Sequence, residues 1–372
     1  MGARFKKILI SGWTAVNVAV SAAMIVSGYG GTVSPDISVI PSMALMVFPM
    51  CLAAAVALIV VDLFVKRRTA LIPAVAVILC AGPLWDFCPI HLSSPEISDR
   101  HRELRILSYN VYGMADYAKQ EAGIPYRKDS VRASLSYIID DNPDIALLQE
   151  SSLLSQIAFF FPQQYDSLAR MYPYRTDSNT SHVILSKFPF DTIAVTQPES
   201  VSASVLCAQF DIDGFPLTAM SVHLQSIGLS TDDKELYTEM SEGHTRHNLR
   251  RARNQLLPKL AYAFRQRASQ ARLIRHEIDS LKPANMIVAG DFNDISGCYA
   301  MRVIEGSDMT DVYSHVGCGP LITYHAHRFY FHIDHVLYGG DLTPLSFHRG
   351  SLRSSDHYPI TATFAIPDNA ED

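Results

Sequence analysis

The stretch Asn285-Met286-Ile287-Val288-Ala289-Gly290-Asp291-Phe292-Asn293 is apolar from Met286 to Ala289 and then turns abruptly polar. A short apolar run closed by glycine and Asx residues reads as a buried strand followed by a turn. Asp291 and Asn293, two positions apart, can point the same way from an extended turn and bring a carboxylate and an amide onto one group. The same shape recurs along the chain. Asn110 closes Leu107-Ser108-Tyr109, Gln149-Glu150 follow Ile145 to Leu148, and His223 follows Met220 to Val222. Farther on come Ile333-Asp334-His335 and Ser355-Asp356-His357-Tyr358-Pro359. Polar groups at the ends of buried strands are where a sheet-based site presents its chemistry.

Working outward, the apolar runs predict strands at Leu104 to Val111, Asp144 to Leu148, Ser181 to Ser186, Ser204 to Phe210, Leu217 to Leu224, Asn285 to Ala289, Ile333 to Tyr338 and Tyr358 to Phe364. Helices are expected at Arg127 to Asp141 and through Thr245 to Ser280, with Pro258 predicting a kink or a break. Strands mixed with helices at irregular intervals describe an α and β domain, not a bundle or a repeat array. The expected organisation is a membrane segment over residues 1–92, a linker over 93–103, a globular domain over 104–366 and a frayed tail over 367–372.

The chain has 372 residues, 48% hydrophobic and 18% charged. That is too apolar for disorder and unusual for a purely soluble enzyme. Its net charge of −6 is uneven. Residues 1–92 hold six basic side chains (Arg4, Lys6, Lys7, Lys66, Arg67, Arg68) against Asp36, Asp62 and Asp86, a balance of +3. The remainder has 25 basic and 34 acidic residues, a balance of −9 that disfavours a general polyanion binder. Six cysteines, three of them (Cys51, Cys80, Cys88) in or beside apolar stretches, are too few for a disulfide framework, and none has zinc-ligand spacing. A bridge between Cys298 and Cys318 is conceivable, and free buried thiols are the plainer reading.

Three charge-free stretches open the chain: Ile8 to Pro35, Ile37 to Val61 and Thr69 to Trp85. The first two are long enough to span a bilayer, and the third reaches that length only if Asp86 sits at the interface. Two further apolar stretches argue against reading the first as a cleaved signal peptide. Basic residues before the first and after the second place both ends in the cytoplasm, so a third crossing would put the large domain outside the cytoplasmic membrane. A third stretch that does not cross would keep it inside. Asp62 and Asp86 fall at span ends, where charges can reach the interface, so the spans read as an anchor and not a transporter.

From Thr245 to His276 there are nine basic residues and no acidic one. The run reads as the solvated face of a packed helix; the alternative is a guide for a phosphate-bearing substrate or an anionic membrane surface.

In order and type, the strand-end motifs resemble those of the endonuclease/exonuclease/phosphatase superfamily, over roughly Leu104 to Ile366. The resemblance implies a four-layer α/β sandwich, two packed mixed sheets flanked by helices, with one metal-dependent site at the sheet edges. Hydrolysing a phosphate ester calls for a hard cation, an activated water and a donor for the leaving oxygen. By resemblance, Glu150 is a ligand for Mg2+ or Mn2+, Asp356 contacts the metal directly or through water, and Asn110 helps position metal and phosphate. Asp291 orients or deprotonates the water, and Asn293 donates to the phosphoryl group. Asp334 orients His357, which is either the general base or the cation that contacts phosphate, and His223 protonates the leaving group. His325, His327, His332 and His335 carry no such role. The inositol 5-phosphatase branch is disfavoured: no tryptophan precedes Gly290-Asp291, and His332-Ile333-Asp334-His335 departs from its C-terminal pattern. His182 stands where the family usually carries a small residue.

The resemblance, together with the apolar N-terminal stretches, implies a membrane-anchored, metal-dependent phosphodiesterase acting on nucleic acid or phospholipid, with the bilayer as its surroundings and no protein partner expected. The alternative from another class is a catalytically silent scaffold of the same fold.

Overall fold

A computed structural model describes residues 3–91, 101–114, 128–151, 154–177, 182–199, 203–230, 246–326 and 330–367, with a few residues between 232 and 243. Two six-stranded mixed sheets form the globular part. The first contains β1 (His101–Asn110), β2 (Ile145–Gln149), β3 (Tyr174–Asp177), β4 (Val183–Ser186), β11 (Thr343–Arg349) and β12 (Ile360–Pro367), in the order β11-β12-β1-β2-β4-β3. The second contains β5 (Phe190–Ile193), β6 (Ser204–Ile212), β7 (Phe215–His223), β8 (Met286–Asp291), β9 (Thr310–Asp311) and β10 (Asp334–Gly339), in the order β5-β6-β7-β8-β10-β9. Every run read as a strand is one. β1 begins at His101, three residues inside the stretch expected to be linker.

Period-two alternation sorts the side chains into layers. On β2, Ile145 and Leu147 face the second sheet, while Ala146 and Leu148 face helices α6 (Lys128–Asp141), α7 (Leu154–Phe160) and α8 (Pro162–Met171). On β8, Ile287 and Ala289 face the first sheet, and Met286 and Val288 face α9 (Arg246–Leu281) and α10 (Tyr299–Glu305). α9 continues as one helix through Pro258, so of the kink or break expected there the break does not occur.

In each sheet the central pair is parallel: β1 with β2, and β7 with β8. Their C-terminal ends therefore lie at one edge, and the antiparallel β10 and β12 begin there. Asp334 pairs directly with Asp291 across β10 and β8. Gly290 is required at this point: its φ is +154°, and a Cβ would collide with the Val222 carbonyl on β7. His182 resolves as a buried link between strands, its ring nitrogens 2.8 Å from the Ser221 and Ser204 hydroxyls. Burial, with His223 adding to it, lowers its pKa to about 3, so it stays neutral.

The N-terminal segment comprises α1 (Ala3–Gly28), α2 (Ile40–Leu45), α3 (Phe48–Val65), α4 (Leu71–Leu79) and α5 (Ala81–Phe87). Among the described residues, two stretches, Ser11–Thr32 and Phe48–Val65, are long and apolar enough to cross a membrane. The third apolar stretch folds as two short consecutive helices that meet at Cys80. Asp62 does not reach outward: it is fully buried and accepts a hydrogen bond from Trp13 Nε1 at 2.5 Å, tying α3 to α1.

The segment is packed onto the globular domain. Met24, Leu45, Phe48 and Cys80 share one core with Cys298, Met301 and Ile304. Asp86 pairs with Arg302 at 3.0 Å, Asp36 with Arg272 at 2.9 Å, and Trp85 Nε1 donates to the Ser314 carbonyl at 2.9 Å. Gly31 lies so close to Gly297 that a Cβ would enter the Gly297 carbonyl. Cys298 is buried, Cys318 is exposed, and the two are not bonded.

Candidate active site

Asp291, the last residue of β8, is 1% exposed and sits at the centre of the polar edge. Its Oδ1 accepts the Asn293 backbone N–H at 2.8 Å, the Asx turn that the Gly-Asp-Phe-Asn sequence suggests. Its Oδ2 receives Asn110 Nδ2 at 3.0 Å from the other sheet and lies 3.4 Å from His357 Nε2 and 3.6 Å from His223 Nε2. Asn110 Nδ2 also donates to Glu150 Oε1 at 3.1 Å, and His223 Nε2 is 3.5 Å from the same oxygen. Three residues predicted from separate motifs thus meet around one carboxylate.

His357 is fixed from behind. Its Nδ1 is 2.8 Å from Asp334 Oδ2 and 3.0 Å from Oδ1, which leaves Nε2 toward Asp291. Burial alone would push this imidazole's pKa down, but the carboxylates of Asp334 and Asp291 outweigh it and hold the ring well above its ordinary value. Ser355 braces the turn: its hydroxyl donates to the Asn110 carbonyl at 2.7 Å and accepts the His357 N–H at 3.1 Å.

Glu150 is held just beyond β2 with φ at +49°, an uncommon conformation that turns its side chain into the site. Asn110 spends its side-chain oxygen on the Tyr112 N–H at 3.0 Å, so its amide nitrogen is what faces the carboxylates. Asn293, at φ +52°, donates Nδ2 to the Leu224 carbonyl at 3.0 Å.

Glu150, Asp291 and Asp356 line one cavity of about 240 Å³ together with His223, Asn293 and His357. Burial pushes Asp356 up to about 6, opposed by His357 and reinforced by the negative charges of Glu150 and Asp291. Carboxylates crowded in this way fit a hard divalent cation, which oxygen ligands suit and whose charge would relieve their repulsion. Glu150, His223 and Asp291 offer ligand atoms within 4.8 Å of one another, as do Asp291, Asp334 and His357. The Asp334–His357 hydrogen bond already accounts for the second group.

Arg267 was not anticipated. It belongs to the basic run read as a solvated face, yet it is 1% exposed, its Nε 3.1 Å from Asp294 Oδ2 and its Nη1 2.5 Å from the Asn293 carbonyl. It also reaches the Gln225 carbonyl at 3.3 Å, so it clamps the turns that follow β7 and β8. The signal was in its position. Leu260, Ala263, Arg267, Ala271, Ile274 and Ile278 follow helical spacing, and Arg267 lies within that stripe. Several other arginines of α9 are paired as well: Arg272 with Asp36, and Arg275 with Asp279 and Asp308. His332 and His335 are buried behind the site, bonded to Ser296 and the Asp294 carbonyl.

A family model described as Endonuclease/Exonuclease/phosphatase family matches residues 107–357. The chain belongs to this family. A second model, Domain of unknown function (DUF8431), matches residues 6–87. No curated protein matches the chain. Solved structures with similar folds include humanized D. rerio TDP2, at 19% identity and TM-score 0.47 over 70% of this chain and 98% of the other. The catalytic domain of human Nocturnin with bound sulfate matches at 15% identity and TM-score 0.47, over 74% and 99%. An endonuclease/exonuclease/phosphatase family protein from Bacteroides thetaiotaomicron matches at 15% and 0.46, over 72% and 100%. Membership in the family makes the chain a phosphoester hydrolase of the divalent-metal-dependent kind.

Proposed function

We propose that the chain is a membrane-anchored phosphodiesterase that uses Mg2+ or Mn2+ and attacks its substrate with water. The convergence of Asn110, His223 and His357 on Asp291 Oδ2 carries this reading. The set provides a proton acceptor flanked by donors, which hydrolysis without a covalent intermediate needs. Glu150 and Asp356 would hold the cation, with Asn110 steadying Glu150. When bound, it would neutralise charge on the phosphoryl oxygens and lower the pKa of an attacking water.

The chain's own groups divide the remaining work. Asp291, fixed by the Asn293 N–H, orients the water and takes its proton. His357, oriented by Asp334 and held above its ordinary pKa, donates from Nε2 to a phosphoryl oxygen in this reading, which favours the phosphate-contacting cation over the base. Asn293 lines the cavity beside it. His223, on the opposite strand end, gives a proton to the leaving oxygen.

The anchor reading rests on α1 and α3, with α4 and α5 as the return to the domain side. Arg4, Lys6 and Lys7 lie at one end of this bundle with Lys66, Arg67 and Arg68, and the globular domain meets the other end. That distribution supports a cytoplasmic-membrane protein with its catalytic domain outside the cytoplasm.

The full chain in lipid nanodiscs, with Mg2+, Mn2+ or EDTA, is to be assayed on supercoiled plasmid, phospholipid and sphingomyelin vesicles, and a chromogenic phosphodiester. Metal-dependent turnover that His357→Ala abolishes is the expected result. Failure on every substrate, with no Mg2+ binding by calorimetry, would replace this reading with the silent scaffold.

A further inference from the structure

A second cavity, of about 280 Å³, lies where the N-terminal helices meet the globular domain. Its walls include Leu45, Phe48 and Phe87 from the helical segment and Leu321 and Ile322 from the loop before β10. Of the polar side chains in its lining, Asp86 is paired with Arg302 and Ser296 bonds His332 Nδ1; His332 Nε2 is buried without a partner among the described residues, and Tyr330 stands at the exposed rim. Burial, together with His335, holds His332 well below its ordinary pKa and therefore neutral. Most of the remaining wall is apolar.

Three observations say what enters it. First, Met46, Ile295 and Phe331 line both this cavity and the catalytic one, so the two are neighbours across a shared wall of side chains. Second, Gly28 and Phe48 place it at the domain-side ends of the two helices long enough to span a bilayer. Third, the connection between those helices exposes Ile37, Ile40 and Val47, and Met50 in the first turn of α3 lines the cavity and is exposed as well, an apolar surface that water would not favour and a bilayer surface would.

We infer that this cavity is an acyl-chain slot, and that the substrate is a lipid phosphoester whose phosphate occupies the Asp291 site while its chain lies between anchor and domain. The inference rests on the phosphodiesterase reading and adds the substrate class to it. A polynucleotide has no apolar chain to place there, and Arg267, Arg272 and Arg275 of α9 are committed to intramolecular pairs.

Alkylphosphonates test the slot without being cleaved. The full chain in nanodiscs is assayed on a chromogenic phosphodiester, with methyl-, hexyl- and dodecylphosphonate as competitors. Lengthening the alkyl chain should tighten inhibition by about tenfold or more, as burying methylene groups requires. Leu321→Trp, which fills the slot from a loop outside the site, should abolish the length dependence and leave hydrolysis of the chain-free diester unchanged; Ile322→Glu should do the same through charge. Length dependence that survives both variants would mean simple partition into the bilayer, and absence of any length dependence would mean no slot; either overturns the inference. If the diester is not hydrolysed at all, the esterase reading is what fails. Calorimetric binding of dodecylphosphonate with Mg2+, compared between the native chain and Leu321→Trp, then decides the slot on its own.

Discussion

The polar edge around Asp291 and the junction between the helical segment and the domain are both built at the ends of apolar elements, yet they are held in opposite ways. At the edge, nearly every polar atom is fixed by another: Asp334 holds His357, Asn293 holds Asp291, Asn110 holds Glu150, and Ser355 holds the turn before β12. The junction relies on close apolar packing and a few partly exposed ion pairs, with cavity left between the parts. A site that must aim groups to within a fraction of an ångström needs the first kind of construction. A surface that admits a flexible chain needs the second.

The sharpest way to separate the two regions is Asp291→Ala. Turnover of a chromogenic diester should fall by about 10³-fold or more, the scale of losing a positioned acid–base group. The thermal midpoint and the detergent stability of the helical segment should stay near those of the native chain. Equal loss of both would show that edge and junction are one cooperative unit.

Arg267 is the next test, because it is the strut behind the edge. Arg267→Ala leaves Asp294 buried and unpaired, and a broken buried pair costs about 3–5 kcal/mol. Denaturant unfolding should read that loss, and kcat should fall with it as the Asn293 turn is released. Arg267→Met combined with Asp294→Leu should recover most of the stability but not the activity. A stability loss without any change in kcat would remove Arg267 from the positioning of the site.

How much of this was legible in the sequence follows the same division. The strand-end residues are legible because buried runs that stop at Asn110, Glu150, His223 and Asp291 announce both the strand and the group at its tip. The edge strands β3 and β5 were not, since Tyr174–Asp177 and Phe190–Ile193 are four residues each and mix polar with apolar residues without a clear alternation. β11 begins at Thr343 and carries Pro344, features that look like loop until pairing with β12 fixes them. Arg267 was hidden by its own charge: a run of arginines looks solvated until one sees which of them falls on the buried stripe. Nothing in the sequence pointed to the junction. Contacts such as Gly31 with Gly297, or Asp86 with Arg302, join residues more than 200 positions apart with no pattern of their own.

Gly31→Ala probes the junction directly. The added methyl cannot fit against the Gly297 carbonyl, so the helical segment must shift, at about 1–3 kcal/mol. Hydrolysis of a chain-free diester should change by no more than about threefold, as for a substitution remote from the chemistry. Hydrolysis of a long-chain substrate should suffer more. If both substrates lose equally, the junction shapes the catalytic edge itself.

The smallest effect expected concerns acid and base at this same junction. Burial raises Glu305 to about 8, reinforced by Asp311 and Asp86 and opposed by Arg302; burial likewise raises Asp311 to about 7, opposed by the N–H groups of Tyr313 and Ser314. A carboxyl whose folded pKa lies above its ordinary value binds its proton more tightly when folded. Its ionisation therefore weakens the fold as pH rises from about 4.5 through 8, and below 4.5 it has no effect. The thermal midpoint should decline across that window. Glu305→Gln should flatten part of the decline, by a few degrees and on the order of 1 kcal/mol because the group is only half-buried. The variant should match the native chain at pH 4.5 and exceed it at pH 9. An unchanged slope would mean that Arg302, already paired with Asp86, neutralises Glu305 as well, and the junction would then be held by charge to a greater degree than its packing implies.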